Sequence, residues 1–568
     1  MNYNVLVGGS AGQGMDTLSQ MFELIMKRKG YYVFSNKDYM SRIRGGHNFI
    51  QIRFSDEEIY SHDDDLDLII ALDKRTLNTH IDRLKDNGKL FIDKSILERE
   101  KEKEKEESIK IIPIASSEMA KEAGNQRTEG TVLLGAVLKF FGFDISNEVT
   151  DVLKEYFEGE IYKINEKALN LGYESVEQSF SLKKGSFKDS ILVDGARGAA
   201  LGALAGGVAF YSAYPMTPST SFMSYLSAHQ NDAGLIVEQV EDEIAAINMA
   251  IGASYAGIRA MTGTSGGGFS LMTEALGLAG ITETPLVVLN VQRPGPATGL
   301  PTRTEQSDLS FILTASHGEI PRMVISLRNP EHAFYTIPRA LNLADKYQML
   351  IIILSDQYLA DSSITIKPYD FSKISIERHI SDEDAIIDGK YKRYRLTENG
   401  VSPRLLPGQF EKALVLADSD EHDENGHITE SSQVRIQQMD KRMRKLNYLM
   451  EELEEPVYYG DENPENLIVA WGSLEGPVRE AVERLRDENS SVGALVFGDI
   501  YPLPKQKLEK YSKNAKNIIN IEMNYTGQLA KLIRQETGIY CNKSILKYDG
   551  RQMSPSEIVK KFKEEVKI

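Results

Sequence analysis

The chain has 568 residues, with 66 Lys and Arg against 83 Asp and Glu, which gives a formal net charge of −17. This length predicts about three to four domains, and the hydrophobic fraction of 41% is typical of globular proteins. The acidic balance argues against a general nucleic-acid-binding protein, because phosphate neutralisation needs clustered basic residues. A single cysteine excludes an intramolecular disulfide framework and an all-cysteine metal site built by this chain alone.

The sequence shows no pattern typical of export or membrane insertion. The first residues lack a basic region followed by a long apolar core. No uncharged apolar run approaches the roughly 20 residues of a membrane helix. We therefore expect a cytoplasmic protein that neither spans a membrane nor binds nucleic acid.

The N-terminal segment predicts the first half of a βαβ unit. A strand at residues 3–7 enters a glycine-rich turn at residues 8–14, and a helical apolar pattern follows. The turn has the glycine spacing G-x-x-G-x-G, the reverse of the dinucleotide fingerprint. Three interpretations stay open: a tight turn, a contact with an anion or cofactor phosphate, and a nicotinamide dinucleotide site. Nearby, residues 42–47 (RIRGGH) could bind a phosphate or a partner's carboxylate, or form a solvated loop.

Further along, apolar strand patterns alternate with Ala- and Gly-rich helical stretches up to about residue 362. This alternation predicts parallel sheets flanked by helices on both faces. Residues 365–463 are more polar, and the α/β pattern returns at Leu467. We expect a multidomain α/β protein with domains at residues 1–185, 186–365, 366–463 and 464–568.

The segments with the clearest chemical potential lie between residues 214 and 308. Residues 214–220 (YPMTPST) present hydroxyl groups beside two prolines. Glu243 opens an Ala-rich apolar helix, where it could complement the helix dipole or have a tunable pKa. Residues 262–268 (TGTSGGG) let the main chain approach a ligand closely, and residues 292–299 (QRPGPATG) follow a predicted strand. Loops after parallel strands usually bind the ligands of α/β proteins.

These motifs, in this order, resemble those of the alpha subunit of 2-oxoacid:ferredoxin oxidoreductases, which use thiamine diphosphate. The alpha-like part covers about residues 190–568, and residues 1–185 resemble the gamma subunit, so the chain resembles a fused gamma–alpha subunit. YPMTPST matches the family's Tyr-Pro-Ile-Thr-Pro-Ser-Thr motif, from which Met216 is the single departure. The resemblance implies a gamma-type α/β domain, a pyrimidine-binding domain at residues 186–365 and a transketolase carboxyl-terminal-like domain at residues 464–568.

The resemblance also implies roles for individual residues, with no metal ligand among them. Glu243 would be the acid/base that activates the cofactor's aminopyrimidine. Thr217 would lie near the substrate carbonyl and carboxylate, and Arg293 would pair with that carboxylate, with Arg303 as its rival. The other expected cofactor contacts are Tyr214, Pro215 and Ser265.

The implied reaction is oxidative decarboxylation of a 2-oxoacid to acyl-CoA and carbon dioxide, with electrons passing to ferredoxin. The sequence lacks the family's Gly-Asp-Gly motif for the diphosphate and Mg²⁺, and it lacks the cysteines for an iron–sulfur cluster. The resemblance therefore places both on a separate beta subunit, in a dimer of (gamma–alpha)/beta heterodimers, with coenzyme A as co-substrate. Residues 420–427 (DEHDENGH) favour the 2-oxoglutarate or broad-range branch over pyruvate. The alternative hypotheses are a nicotinamide-dependent dehydrogenase and a non-catalytic assembly subunit.

Overall fold

The computed structural model describes residues 2–40, 46–98, 110–411 and 413–566. The chain forms two compact units. The first comprises Met1–Val193, Asp361–Pro368 and Ser554–Ser556, and the second comprises Asp194–Ala360, Tyr369–Met553 and Glu557–Ile568. The arginines of the predicted phosphate-binding cluster, Arg42 and Arg44, lie outside the described residues.

Strands and helices alternate along most of the chain. The strands are β1 (Asn2–Gly9), β2 (Tyr32–Asp38), β3 (Asn48–Ser55), β4 (Leu66–Ala71), β5 (Leu84–Asp93), β6 (Ile111–Ile114), β7 (Ile191–Asp194), β8 (Phe210–Ala213), β9 (Ile236–Gln239), β10 (Ala260–Thr264), β11 (Leu286–Gln292), β12 (Arg322–Ser326), β13 (Leu350–Asp356), β14 (Ser363–Ile366), β15 (Val457–Gly460), β16 (Asn466–Trp471), β17 (Val492–Phe497), β18 (Asp499–Tyr501), β19 (Asn517–Glu522) and β20 (Lys543–Leu546). The helices are α1 (Met15–Arg28), α2 (Lys74–His80), α3 (Lys94–Glu98), α4 (Ser116–Ala123), α5 (Glu129–Phe140), α6 (Asn147–Tyr156), α7 (Gly159–Glu174), α8 (Gly195–Ala205), α9 (Thr220–Ala233), α10 (Glu243–Tyr255), α11 (Gly266–Phe269), α12 (Thr273–Ile281), α13 (Leu309–Thr314), α14 (Pro330–Tyr347), α15 (Gln357–Asp361), α16 (Ser432–Leu449), α17 (Glu475–Asp487), α18 (Gln506–Ser512), α19 (Gln528–Thr537) and α20 (Pro555–Val566).

The first unit is built on a mixed sheet. Within the described residues its strand order is β6-β5-β4-β1-β3-β2-β14-β7. Strands β1, β4, β5 and β6 are parallel, whereas β3 runs antiparallel to both β1 and β2. The link between β2 and β3 is too short for the crossover that parallel neighbours need, so this part of the sheet departs from the parallel expectation.

The second unit contains the sheet that the apolar patterns predict. Its order is β18-β12-β13-β11-β10-β8-β9, and each neighbouring pair is parallel except for β12 with the edge strand β18. The whole of β13 (LIIILSD) is buried. Helices cover both faces of the sheet, since Val287 of β11 packs in the core with α8 and α14 and Val288 packs in the core with α10 and α12. Continuous apolar strands therefore reflect burial on two sides.

The remainder of the second unit contains a third, smaller sheet. Its described strands lie in the order β15-β17-β16-β19-β20, and they are parallel except for β15. Most of residues 369–431 form loops and short 3-10 turns, as the polar composition there predicts, and α16 follows.

The parallel strands of the second sheet place several predicted site segments at one edge. Strands β8, β9, β10 and β11 run in the same direction, so the loops that follow them all leave the sheet at its carboxyl end. These loops carry residues 214–219, Asp242, Ser265 and Arg293, and Glu243 begins the helix after β9.

Candidate active site

Glu243 is a buried carboxylate at the first position of α10, with 2% of its surface exposed. Its neighbour Asp242 caps the helix by accepting a hydrogen bond from the Ala245 amide at 2.8 Å. The cap leaves the Glu243 side chain available for other contacts. Within the described residues its side chain accepts one hydrogen bond, from Thr264 Oγ1 to Oε1 at 3.4 Å, which is long and weak. The carboxylate thus retains bonding capacity for a further donor.

The turn after β10 packs directly against Glu243. A Cβ at Gly268 would collide with both Glu243 Oε1 and Thr264 Oγ1, so this close approach requires glycine. The adjacent Ser265 is fully buried, and its Oγ has no hydrogen-bond partner in the described part of the chain. A buried polar atom without a partner costs about 1–3 kcal/mol, which makes Ser265 a candidate contact for a polar ligand group.

The segment after β8 forms a turn beside the same edge. The Ser219 amide and hydroxyl both donate to the Met216 carbonyl at 2.8 Å. Met216 Sδ in turn accepts a contact from Thr264 Oγ1 at 3.9 Å. Tyr214 is 39% exposed, whereas Pro215 and Thr217 are half-buried. Hydroxyl and proline side chains are therefore presented at the same edge of the sheet as Glu243.

The two candidate arginines have different surroundings. Arg293 Nη1 donates a hydrogen bond to the Thr217 carbonyl, so the loops after β8 and β11 meet there. Burial lowers the pKa of Arg293, and the charges of Asp308 and Glu243 act in the opposite direction. Arg303 instead packs beside Gly550. The amide of Thr304, which follows Arg303 in the chain, donates a hydrogen bond to the Gly550 carbonyl at 3.2 Å. The structure thus brings Arg293 to Thr217 and places Arg303 next to the segment after β20.

Asp308 and Asn290 belong to this region but were not among the predicted residues. Asn290 Nδ2 donates to Asp308 Oδ2 at 2.9 Å, and Asn290 Oδ1 is buried without a partner in the described residues. Burial raises the pKa of Asp308 to about 6, although the Asn290 hydrogen bond and the Arg293 charge both act to lower it. A polar Asn within the apolar strand β11 was the available sequence signal.

The described residues contain no group of three or more His, Cys, Asp or Glu side chains arranged to hold a metal ion. Cys541 is buried, and burial raises the pKa of its thiol to about 12. The thiol is therefore protonated at neutral pH and is a poor metal ligand or nucleophile.

The N-terminal glycine turn lies on a cleft of about 850 Å³ within the first unit. The start of α4 at Ser116 and Ser117 contributes to the same cleft, together with Arg127. The turn therefore faces open space near backbone amides. The tight turn, the anion or cofactor phosphate contact and the nicotinamide dinucleotide site each stay a prediction for this turn.

None of the described helices is both long enough and apolar enough to cross a membrane.

The chain resembles known proteins along nearly its whole length. The 2-oxoacid:ferredoxin oxidoreductase subunit alpha of Sulfolobus sp is 34% identical over 616 residues, which cover 98% of this chain and 96% of that protein. The chain belongs to the 2-oxoacid:ferredoxin oxidoreductase family. The 2-oxoglutarate synthase subunit KorA of Archaeoglobus fulgidus is 32% identical over 371 residues, covering 65% of this chain and 97% of that subunit.

Family models and a solved structure agree with this membership. The model described as pyruvate flavodoxin/ferredoxin oxidoreductase, thiamine diP-binding, matches residues 201–441. Pyruvate ferredoxin/flavodoxin oxidoreductase matches residues 4–175, and pyruvate:ferredoxin oxidoreductase core domain II matches residues 464–558. The structure of 2-oxoglutarate:ferredoxin oxidoreductase from Magnetococcus marinus, with 2-oxoglutarate, coenzyme A and succinyl-CoA bound, is 33% identical. It has a TM-score of 0.92 and covers 100% of this chain and 99% of that chain.

Family membership confirms the main predictions from the sequence. The chain is the alpha subunit of a thiamine diphosphate-dependent 2-oxoacid:ferredoxin oxidoreductase, and its N-terminal segment matches a family model of the same enzymes. It is a subunit of an oxidoreductase, and the subunit names of its relatives imply a beta partner. The predicted α/β fold is confirmed as well. Membership favours this function over both the nicotinamide-dependent dehydrogenase and the assembly subunit.

Proposed function

We propose that the second unit activates thiamine diphosphate with Glu243 and holds the carboxylate of its 2-oxoacid substrate, 2-oxoglutarate, with Arg293. The observation that carries this proposal is the buried Glu243 carboxylate, which has bonding capacity to spare at the edge where Thr217 and Arg293 meet. This edge lies at the carboxyl ends of the parallel strands, where α/β proteins usually bind their ligands.

The residues around Glu243 fit the aminopyrimidine part of the cofactor. Gly268 allows the turn after β10 to pack closely against Glu243, and the neighbouring Ser265 Oγ, which has no partner in the described residues, offers a donor or acceptor to a ring substituent. Tyr214 and Pro215 supply apolar surface beside it. When bound, thiamine diphosphate supplies the thiazolium carbon that attacks a 2-oxoacid and stabilises the negative charge left by decarboxylation.

The chain's own residues then perform three tasks. Glu243 would share a proton with the ring nitrogen of the aminopyrimidine, while Thr264 Oγ1 makes a long, weak hydrogen bond to its Oε1. Arg293 fixes the substrate carboxylate, and its bond to the Thr217 carbonyl sets where the guanidinium points. The Thr217 hydroxyl donates a hydrogen bond near the substrate carbonyl. Arg303 has the lesser role, since it packs beside Gly550.

A partner subunit completes the reaction. The chain lacks a Gly-Asp-Gly motif and has a single, buried cysteine, which supports placing the diphosphate, Mg²⁺ and the iron–sulfur cluster on the beta subunit. We propose a dimer of (gamma–alpha)/beta heterodimers in the cytoplasm, with electrons leaving through the beta subunit to ferredoxin. We also propose domain boundaries near residues 185, 365 and 463; gaps between the matched family models near residues 185 and 463 support two of them.

The comparisons support 2-oxoglutarate as substrate and coenzyme A as acyl acceptor. The Magnetococcus marinus enzyme, which is similar over the whole chain, has both compounds bound, and the Archaeoglobus fulgidus relative is named a 2-oxoglutarate synthase subunit. Residues 420–427 (DEHDENGH) point the same way. A broad 2-oxoacid range that includes pyruvate is the alternative.

A substrate panel on the assembled enzyme tests this proposal. The chain is co-purified with its beta subunit and assayed with 2-oxoglutarate, pyruvate and branched 2-oxoacids, with coenzyme A and a one-electron acceptor present. We expect the highest kcat/KM with 2-oxoglutarate and dependence on added thiamine diphosphate. A kcat/KM for pyruvate that equals or exceeds the value for 2-oxoglutarate would contradict the substrate assignment while leaving the reaction class intact.

A further inference from the structure

The two ends of the loop that carries Arg293 are hydrogen-bonded to each other. It leaves β11 after Gln292 and ends at Asp308, whose amide donates to Gln292 Oε1 at 3.1 Å. Ser307 Oγ donates to the Arg293 carbonyl at 3.4 Å. The first and last residues of the loop are therefore tied to each other, and anything that holds residues 304–308 also holds Arg293.

Gln306 joins this loop to the third sheet. Its side chain accepts from the Met523 amide at 3.1 Å and donates to the Trp471 carbonyl at 2.8 Å. Its backbone amide donates to the Met523 carbonyl at 2.7 Å, and its own carbonyl accepts from Asn524 Nδ2 at 3.1 Å. Gln306 is 1% exposed. All four polar groups of one buried residue are thus bonded to the carboxyl ends of β16 and β19.

A second, weaker tie runs through Gln528 at the start of α19. Its Nε2 donates to the Ser307 carbonyl at 2.8 Å, and its Oε1 accepts from the Ser310 amide at 2.8 Å. Gln528 is only half-buried. The neighbouring residues Gln306 and Ser307 are therefore both held by the third sheet and its helix, and Ser307 is the residue that bonds to the Arg293 carbonyl.

We propose that Gln306 is a positioning residue, through which the third sheet fixes the loop of residues 293–308 and hence the Arg293 guanidinium beside Thr217. This inference rests on the proposed role of Arg293 as partner of the substrate carboxylate. A loop of this length has many accessible conformations, so a fixed anchor near Arg293 reduces the entropy lost when substrate binds. The segment 464–568, which contributes no reacting group in this proposal, then acts on substrate affinity.

The test is Gln306→Ala in the complex with the beta subunit. The variant leaves the Met523 amide and the Trp471 carbonyl without their side-chain partner, so residue 306 keeps two of its four bonds and holds the loop less firmly. We expect the KM for the 2-oxoacid to rise ~10-fold, while kcat changes less than about threefold and the affinity for thiamine diphosphate is unchanged. Gln528→Ala, which removes the weaker tie, raises the KM ~3-fold and is the variant to use if Gln306→Ala does not assemble.

Gln348→Ala is the matched control. Gln348 is also a buried glutamine with both amide groups bonded, to the Ser402 carbonyl at 2.6 Å and to Arg393 Nη1 at 2.8 Å, but it lies after α14, outside the loop. The variant Gln348→Ala should lower the melting temperature and leave the KM for the 2-oxoacid unchanged. If Gln306→Ala and Gln528→Ala likewise lower only the melting temperature, the positioning role is overturned.

Pairing each variant with Arg293→Ala separates this inference from the proposed function. If Arg293→Ala raises the KM and Gln306→Ala adds little in that background, the two residues act through one contact, as proposed. An equal further rise in that background would overturn the inference, because Gln306 would act by another route. If Arg293→Ala itself leaves the KM unchanged, the failure lies in the proposed role of Arg293.

Discussion

Two buried glutamates of the second unit have opposite surroundings. Glu283, after α12, is fully buried, with Lys441 Nζ at 2.6 Å and Lys445 Nζ at 2.5 Å from its carboxylate oxygens. Burial by itself would raise the pKa of Glu283, but Lys441, Lys445 and Arg393 outweigh it and hold that pKa well below its usual range. Glu243, almost equally buried, accepts a single long hydrogen bond among the described residues.

The difference separates a structural carboxylate from one available for chemistry. The charge of Glu283 is fully compensated by cations that reach it from α16, so it links that helix to the second sheet and has no capacity for a ligand. It lies before β11, at the amino end of the strand, whereas Glu243 lies at the carboxyl edge where α/β sheets bind ligands. Burial of a carboxylate therefore does not identify a catalytic group; its spare bonding capacity at the carboxyl edge of the sheet is what suggests one at Glu243.

Glu243→Gln is expected to have the largest effect on turnover. The amide keeps the shape of the side chain and removes the acid/base function, so kcat should fall ~1,000-fold. The melting temperature and association with the beta subunit should stay close to those of the parent, because Glu243 forms no ion pair with the residues that the structure describes. Steady-state assays and a thermal melt of the same preparation measure both. Near-normal turnover would show that Glu243 is not the activating group.

Glu283→Gln should reverse this pattern. Removing one charge leaves Lys441 and Lys445 buried without their counter-ion, which should lower the free energy of unfolding by about 3 kcal/mol. Turnover per folded enzyme should be unchanged below the melting temperature. Denaturant unfolding gives the first quantity and active-site titration the second. A partial recovery of stability in the double variant Glu283→Gln/Lys445→Met would confirm that the unpaired charge is the cause, and no recovery would argue against it.

Arg293→Ala tests the cation assigned to the substrate carboxylate. Loss of one charge-assisted hydrogen bond of about 2 kcal/mol should lower kcat/KM for the 2-oxoacid ~30-fold, mainly through KM. Arg303→Ala is the control, and it should change kcat/KM less than about threefold because Arg303 packs beside Gly550. If Arg303→Ala has the greater effect, the two roles are exchanged.

Asp308 is a third carboxylate of the second unit, and it accepts a hydrogen bond from Asn290. Burial raises the pKa of Asp308 to about 6 from its ordinary 3.8. The folded state therefore favours the protonated form, so the stabilisation from this group is full below about pH 4 and is lost as the pH rises through 6. The variant Asp308→Asn has no titratable group at this position, so it should not lose this stabilisation as the pH rises. The stability of the parent relative to the variant should fall by about 1 to 2 kcal/mol between pH 4 and pH 7.

Denaturant unfolding at both pH values measures this difference. The charged and titratable groups that interact electrostatically with Asp308 are Arg293 and Glu305. Burial raises the pKa of Glu305 to about 7. Glu305→Gln in parallel separates the two carboxyl groups. A pH-independent difference between parent and Asp308→Asn would contradict the assignment to Asp308.

The local motifs were sufficient to identify the family, and they supplied the site residues that stay predictions. The turn at residues 214–220, the acid at the start of α10 and the loop after β11 are each encoded by a short, contiguous pattern. The apolar strands also predicted the second sheet, since residues buried on both faces leave a continuous hydrophobic run. The short link between β2 and β3 could have shown that the first sheet is mixed, but the strand patterns alone did not.

Tertiary structure decided which groups are paired and which are left available. The sequence gives no sign that Lys441 and Lys445 neutralise Glu283, because more than 150 residues separate them, or that Gln306 bonds to Trp471 and Met523. It could not choose between Arg293 and Arg303, which lie ten residues apart in one loop. Composition and local spacing thus determined the elements and the chemistry that the side chains can perform. Long-range packing determined their burial and partners, because hydrogen bonds and ion pairs between distant segments form only once the sheets have assembled.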